Sequence, residues 1–156
     1  MDELDRTDRG ILYVLQTDAR SVTNTEIGER VGVSPTTVGD RIDRLRERGI
    51  LRTTYADIDY ERAGIPHTVV LYCTVSAADL EESAAAAISS EGVVSVTELL
   101  TGDRNLQITL VGRTNEDVAK TIEAVEELGI EVRDAELLKA EHRCPFDGFS
   151  HPGAVD

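Results

Sequence analysis

The chain has no tryptophan, two phenylalanines, one methionine and only two lysines among 156 residues. Its two cysteines, Cys73 and Cys144, are too few for a disulfide framework, so a cytoplasmic protein with reduced thiols is expected. No apolar run approaches the ~18 residues of a membrane span. The acidic start, Met1-Asp2-Glu3, lacks the basic n-region of a signal peptide. Gly-x-Gly-x-x-Gly, a phosphate-binding Gly-Lys-Ser/Thr loop and a nucleophile elbow are all missing, so neither an enzyme nor a cofactor is indicated. Positive charge is scarce too: 16 Lys+Arg stand against 30 Asp+Glu, a net charge of −14. Taken whole, that argues against a polyanionic partner such as DNA. Yet 40% of the residues are hydrophobic, enough for a core and too many for a disordered polyanion. The length allows one domain or two small ones.

The acidity is not spread evenly. Residues 1–52 hold nine arginines and ten acidic residues, a net of −1, whereas residues 53–156 hold seven basic and twenty acidic residues, a net of −13. Between Arg41 and Arg52 five arginines (41, 44, 46, 48 and 52) face only Asp43 and Glu47, a net of +3. Alone, such a run reads as a solvated helix face. Its neighbourhood gives it another meaning.

Leu4, Ile11, Leu12 and Leu15 recur at helical spacing and predict an amphipathic helix over residues 5–18. Thr23 and Glu26 make a capping box for a short helix with Ile27 and Val31 inward, ending at Gly32. Ser34 and Pro35 are an N-cap and a first-turn proline for a third helix with Val38, Ile42 and Leu45 buried, closed by Gly49. Ile50–Ile58 is β-prone and predicts a strand leading out of the unit. Two short helices joined by a tight turn behind a supporting helix make a helix-turn-helix, winged or simple. Its third helix would present Ser34, Pro35, Thr36, Thr37, Asp40, Arg41 and Arg44 to double-stranded DNA. Arg41 and Arg44 suit guanine, and Thr36 or Thr37 suits a thymine methyl or a phosphate. Arg46, Arg48 and Arg52 suit backbone phosphates.

Beyond a linker over residues 53–66, the pattern changes. Residues 68–75 predict a strand, 79–90 a helix with Leu80, Ala84, Ala87 and Ile88 inward, and 93–100 a second strand. Residues 101–105 are a turn. Leu106, Ile108 and Leu110 alternate with polar residues in a third strand. Thr114–Asp117 caps a helix carrying Val118, Ile122, Val125 and Leu128, and residues 130–141 predict a fourth strand. The order is that of a ferredoxin-like split βαβ, with both helices on one sheet face. Apolar residues on the other face would predict a sheet-to-sheet dimer. The tail from His142 holds both phenylalanines, Phe146 and Phe149, which suggests docking. His142, Cys144 and His151 do not have zinc spacing.

At this point the sequence resembles the Lrp/AsnC family of transcription regulators. The resemblance is carried by Leu4–Leu12, Leu15–Arg20, Val31–Val38 and Arg41–Leu51, and extends through the βαββαβ half to about residue 141. It implies an α+β chain with a helix-turn-helix over residues 1–52 and a ligand-sensing, dimerising domain over residues 67–141. It further implies a homodimer, often a tetramer or octamer, that binds pseudo-palindromic DNA and responds to a small molecule, typically an amino acid. The family's effector loop corresponds to Gly102, Asp103, Arg104 and Asn105. Gly102 and Asp103 match, both aromatics of the pattern are missing, and Asn105 stands where a second Asp is usual. In the last strand Arg133 and Ala135 stand where many members have threonines. Arg104 and Arg133 would favour an anionic ligand. Two alternatives belong to other classes: a siroheme-decarboxylase-like enzyme, whose histidine has no counterpart between His67 and His142, and an assembly module that binds an effector but no DNA. The Lys-poor, acid-rich composition suits a protein kept soluble in concentrated salt, as in haloarchaea.

Overall fold

Asp5 starts the first helix. Its side chain accepts from the Asp8 N–H while the Asp8 carboxylate accepts from the Asp5 N–H, a reciprocal cap. The computed structural model describes residues 3–149. The chain divides into two units, Met1–Ala56 with His142–Asp156, and Asp57–Glu141.

In the first unit, α1 (Arg6–Asp18), α2 (Asn24–Val31) and α3 (Pro35–Glu47) follow the capping signals closely. Thr23 and Glu26 cap α2 reciprocally, and Ser34 accepts from the Thr37 N–H at the start of α3. Ile11, Leu12 and Val14 of α1 meet Ile27 and Val31 of α2 and Val38, Ile42 and Leu45 of α3 in one buried cluster. Each such side chain contributes roughly 1.5–3 kcal/mol when fully buried. The turn between α2 and α3 is tight because Gly28 has no side chain. Its carbonyl accepts from both Gly32 N–H (2.8 Å) and Val33 N–H (3.0 Å). A Cβ on Gly28 would lie 2.5 Å from the Val33 carbonyl oxygen.

The tail closes the same unit. Phe149, at the end of a 3₁₀ turn (Asp147–Phe149), packs on the helical core. The Phe146 ring meets it edge-on at 5.1 Å, and the Phe146 N–H donates to Gln16 Oε1 (3.1 Å). His151 lies outside the described residues.

The strand expected over residues 50–58 does not form. Residues 52–59 have neither helix nor ladder, and a turn over residues 60–64 follows, closed by Gly64 at φ +84°. A β-prone segment becomes a strand only when a neighbour takes its N–H and C=O groups, and no described segment does so. The described part of the first unit is therefore a simple helix-turn-helix without a wing strand.

The second unit runs β1 (His67–Thr74), α4 (Leu80–Ala87), β2 (Val93–Glu98), β3 (Leu106–Gly112), α5 (Asn115–Glu127), β4 (Glu131–Leu137). The strands form one antiparallel sheet in the order β2-β3-β1-β4, the ferredoxin-like arrangement expected. Val69, Leu71, Cys73, Leu106, Ile108 and Leu110 pack on Ala84, Ala87 and Val125 of the two helices. Two residues expected inward are not: Ile88 and Leu128 are 48% and 43% exposed. Each is the C-cap of its helix, where the chain turns off the buried face. Alternation turns Thr68, Val70, Tyr72, Thr74, Gln107, Thr109 and Val111 to the sheet face opposite α4 and α5, where Val70 is nonetheless buried. That face is largely polar, so it lacks the apolar stripe that would by itself argue for a sheet-to-sheet dimer.

Gly28→Ala is expected to destabilise the first unit by about 1–3 kcal/mol, the usual cost of overpacking, read by urea denaturation. Gly39→Ala, inside α3 with its nearest new contact at 3.4 Å, is expected to be neutral or stabilising by about 0.5–1 kcal/mol.

Candidate nucleic-acid interface and effector loop

The second helix of a helix-turn-helix offers its N-terminal turn and one long face. On α3 the cap Ser34 is exposed with Pro35 and Thr36, followed along the helix by Asp40 and Arg44. Thr37 is half-buried and its hydroxyl lies 2.8 Å from Ser34 Oγ. Arg44 and Arg46 fall in the last turn, where cations complement the helix dipole. Arg46 pairs with Asp43 at 3.3 Å. Arg48 is the C-cap residue, its N–H donating to the Arg44 carbonyl, and Arg52 is exposed just beyond.

The arginines expected to act together are placed differently. Arg41 donates to the carboxylates of Asp5 and Asp8, the latter at 3.1 Å, and only 26% of its side chain is exposed. Arg44 is 52% exposed and reaches Asp8 only at 3.9 Å. Arg41 thus ties α3 to α1, while Arg44 keeps most of its donors toward solvent. The Asp8 N–H holds Asp5 below the usual carboxylate range, aided by the Arg41 guanidinium. Asp5 in turn raises Arg41. Asp8 itself is buried, its side chain 3% exposed. Sequence reasoning missed these two acids, although one signal was there: Asp8 occupies the stripe of Leu4, Ile11, Leu12 and Leu15, where a charge needs a buried partner.

In the second unit, the loop between β2 and β3 is held by its own chain. Asn105 accepts from the Val75 N–H (2.9 Å) and donates to the Val75 carbonyl (2.8 Å). Thr74 donates its hydroxyl to the Asp103 carbonyl (2.7 Å). Gly102, at φ +99°, makes the turn that a side chain would strain. Arg104 pairs with Asp134 at 2.7 Å and lies 5.9 Å from the centre of the Tyr72 ring. Arg133 donates to Thr74 Oγ1 (3.2 Å) and pairs with Glu131 (2.9 Å). The register shifts between Tyr72 and Cys73, so that Asp134 opposes Tyr72, Val132 opposes Cys73, and Arg133 is the extra residue of a bulge. Simple alternation puts Arg133 and Ala135 on one face. The bulge sends Arg133 toward Thr74, while Ala135 lines an apolar groove with Val69, Val118 and Ile122 on the helix side.

Cys73 lies in the core, where burial first and Glu126 second push its thiol up to about 11. Among the described residues no group of His, Cys, Asp or Glu is placed to hold a metal, and no helix is long and apolar enough to cross a membrane.

Two pairs of substitutions separate anchoring from contact. Arg41→Ala leaves Asp8 without its hydrogen-bonded cation and should cost about 2–4 kcal/mol, somewhat below the range for a fully buried pair. Arg44→Ala should stay within about 0.5 kcal/mol of the parent; both are read by urea denaturation. Asn105→Asp sets a carboxylate against the Val75 carbonyl and removes a donor, and should cost about 1–3 kcal/mol. Asn105→Gln, which keeps both polar groups, should cost less in the same measurement.

Known proteins resemble the chain along most of its length. The family described as Winged helix-turn-helix DNA-binding matches residues 4–52. The HTH-type transcriptional regulator AldR of Mycolicibacterium smegmatis is 31% identical over 122 residues, 77% of this chain and 71% of that protein. The leucine-responsive regulatory protein of Salmonella typhimurium is 34% identical over 103 residues, 65% of this chain and 62% of that protein. Among solved structures, MtbAldR superimposes with a TM-score of 0.76 at 26% identity, covering 90% of this chain and 97% of the other. A transcriptional regulator from Neisseria meningitidis, solved with L-Met, superimposes with a TM-score of 0.71 at 26% identity, covering 92% and 94%. With its helix-turn-helix, its ferredoxin-like sheet and these relatives, the chain belongs to the Lrp/AsnC family of helix-turn-helix transcriptional regulators.

Proposed function

We propose that the protein acts as a homodimer or a higher assembly of dimers whose α3 helices enter successive major grooves about one turn, ~34 Å, apart. The observation that carries this reading is the outward face of α3: Pro35, Thr36, Asp40 and Arg44 exposed on a helix backed by an intact apolar core. Arg44 and the first turn of α3 read base edges, Arg48 and Arg52 hold phosphates, and Arg41 positions the helix without touching a base. Pairing between copies is supported by the family to which the chain belongs rather than by an apolar sheet face. Regulation rather than catalysis is supported by the regulator names of the relatives.

An effector held near Gly102–Asn105 and Arg133 would shift assembly, and with it DNA affinity, by binding one assembly state more tightly than the other. The L-Met complex of the Neisseria meningitidis regulator supports an amino-acid class of ligand. Here the anionic group of such a ligand would have to displace Asp134 from Arg104 or Glu131 from Arg133. Composition supports a cytoplasm of concentrated salt, such as a haloarchaeal one.

In gel-shift titrations against a duplex selected by the protein from a randomised pool, Arg44→Ala should lose about 1–3 kcal/mol of discrimination against single-base changes. Arg48→Ala should weaken selected and unselected duplexes alike and reduce the salt slope by about one. Equal losses from both variants on both duplexes would overturn the division of roles.

A further inference from the structure

One buried carboxylate stands behind both arginines on the inner side of α3. Asp8 projects from α1, accepts from Arg41 at 3.1 Å and lies 3.9 Å from Arg44 Nη2. Its side chain is 3% exposed, that of Arg41 26% and that of Arg44 52%. Arg41 has a second carboxylate in Asp5, whereas among the described residues Arg44 pairs only with Asp8. The two guanidiniums stand three residues apart, so they leave α3 on the same side.

We propose that Asp8 is a specificity-determining positioning residue, acting through Arg44. Its charge draws one amino group of the Arg44 guanidinium inward and leaves the remaining donors of the fork directed outward. A long side chain drawn in this way has less rotamer freedom left to lose when its planar fork meets a guanine edge. The same pairing lowers the attraction of Arg44 for phosphates at large, because its charge is already partly compensated. Asp8 therefore favours the geometrically demanding base contact over the undemanding phosphate contact. Asp5 has no such role, since it reaches Arg41 and not Arg44. This rests on α3 reading bases through Arg44.

The test compares Asp8→Asn, Asp5→Asn, Arg44→Ala and the Asp8→Asn/Arg44→Ala double variant of the full chain. Affinity is measured for the duplex selected by the parent protein and for poly(dI–dC), at matched salt. Asn at position 5 still caps α1, so Asp5→Asn controls for loss of the exposed Asp5–Arg41 contact, and the double variant separates an effect through Arg44 from one through Arg41. The expected result is a fall of about tenfold in the ratio of selected to unselected affinity for Asp8→Asn, the scale of one good base contact. Affinity for poly(dI–dC) should hold or rise, Asp5→Asn should keep the ratio, and the double variant should lose no more than Arg44→Ala. Equal loss from Asp5→Asn and Asp8→Asn, or additive loss in the double variant, would overturn the proposal. If Arg44→Ala leaves the ratio unchanged, it is the reading of α3 that fails. Should Asp8→Asn not fold, a structure of the parent chain on the selected duplex decides. Arg44 held by Asp8 while meeting a base supports the proposal, and Arg44 turned away from Asp8 or placed on a phosphate overturns it.

Discussion

A carboxylate taken out of water demands a cation, and the DNA-reading unit is arranged around that demand. Asp8 sits at the buried edge of α1, in line with residues that form the core, and its desolvation is offset only if α3 brings Arg41 to it. The apolar contacts between α1, α2 and α3 are non-directional; Ile11, Val38 and Ile42 would tolerate a small rotation of α3 about its axis. The Asp8–Arg41 pair would not, since hydrogen bonds weaken steeply with misalignment and a buried charge cannot be left alone. The pair thus sets the rotation of α3, and so decides which of its residues face outward. Gly28 acts on the same helix from the other end: by letting the Val33 carbonyl approach, it sets where α3 begins.

The local chemistry of the chain was legible in proportion to how local it is. Helix starts at Thr23, Ser34 and Thr114 depend on residues three apart, and helix ends at Gly32 and Gly129 depend on a single backbone angle. These were read correctly, as was the alternation of Leu106, Ile108 and Leu110, because β3 is buried on one face. What failed depends on partners distant in sequence. The segment Ile50–Ile58 has the composition of a strand and no ladder to join. Arg41 and Arg44 look equivalent on a helical wheel; only the position of Asp8, more than thirty residues earlier, separates them. The bulge at Arg133 arises where β4 meets β1, and no spacing within β4 announces it. The resemblance puts Asn105 in an effector loop, whereas both of its polar atoms close on Val75 across the end of the sheet.

The loop that follows β2 shows the same preference for internal pairing. Where the family pattern would place a second carboxylate, Asn105 supplies a donor and an acceptor side by side, which is what a backbone N–H and C=O require and a carboxylate cannot give. The substitution therefore extends the β1–β3 ladder by one side-chain rung. Arg104 and Arg133, which as isolated residues read as an anion site, are matched by Asp134 and Glu131 on β4. These pairs are about half exposed, so each contributes little to stability. For the effector proposed at this loop they would impose selectivity: an anionic group would have to displace an intramolecular carboxylate, and a single weak anion would gain little by the exchange.

Concentrated salt changes which of these interactions matter. At ~1 M the Debye length is ~3 Å, so the −13 net charge carried by residues 53–156 would scarcely repel DNA beyond contact, and the same screening removes most of the counterion-release gain from phosphate contacts. Affinity then falls to short-range contacts whose geometry is already prepared. The Asp8–Arg41 pair is shielded from that screening by burial, whereas surface pairs such as Arg46–Asp43, 59% and 72% exposed, are not. A regulator working in such a medium keeps its specificity only if the arginine that reads bases is oriented from inside the protein rather than by the field of the DNA. The base-reading role proposed for Arg44 meets that condition: its side chain is half exposed and lies 3.9 Å from a buried carboxylate.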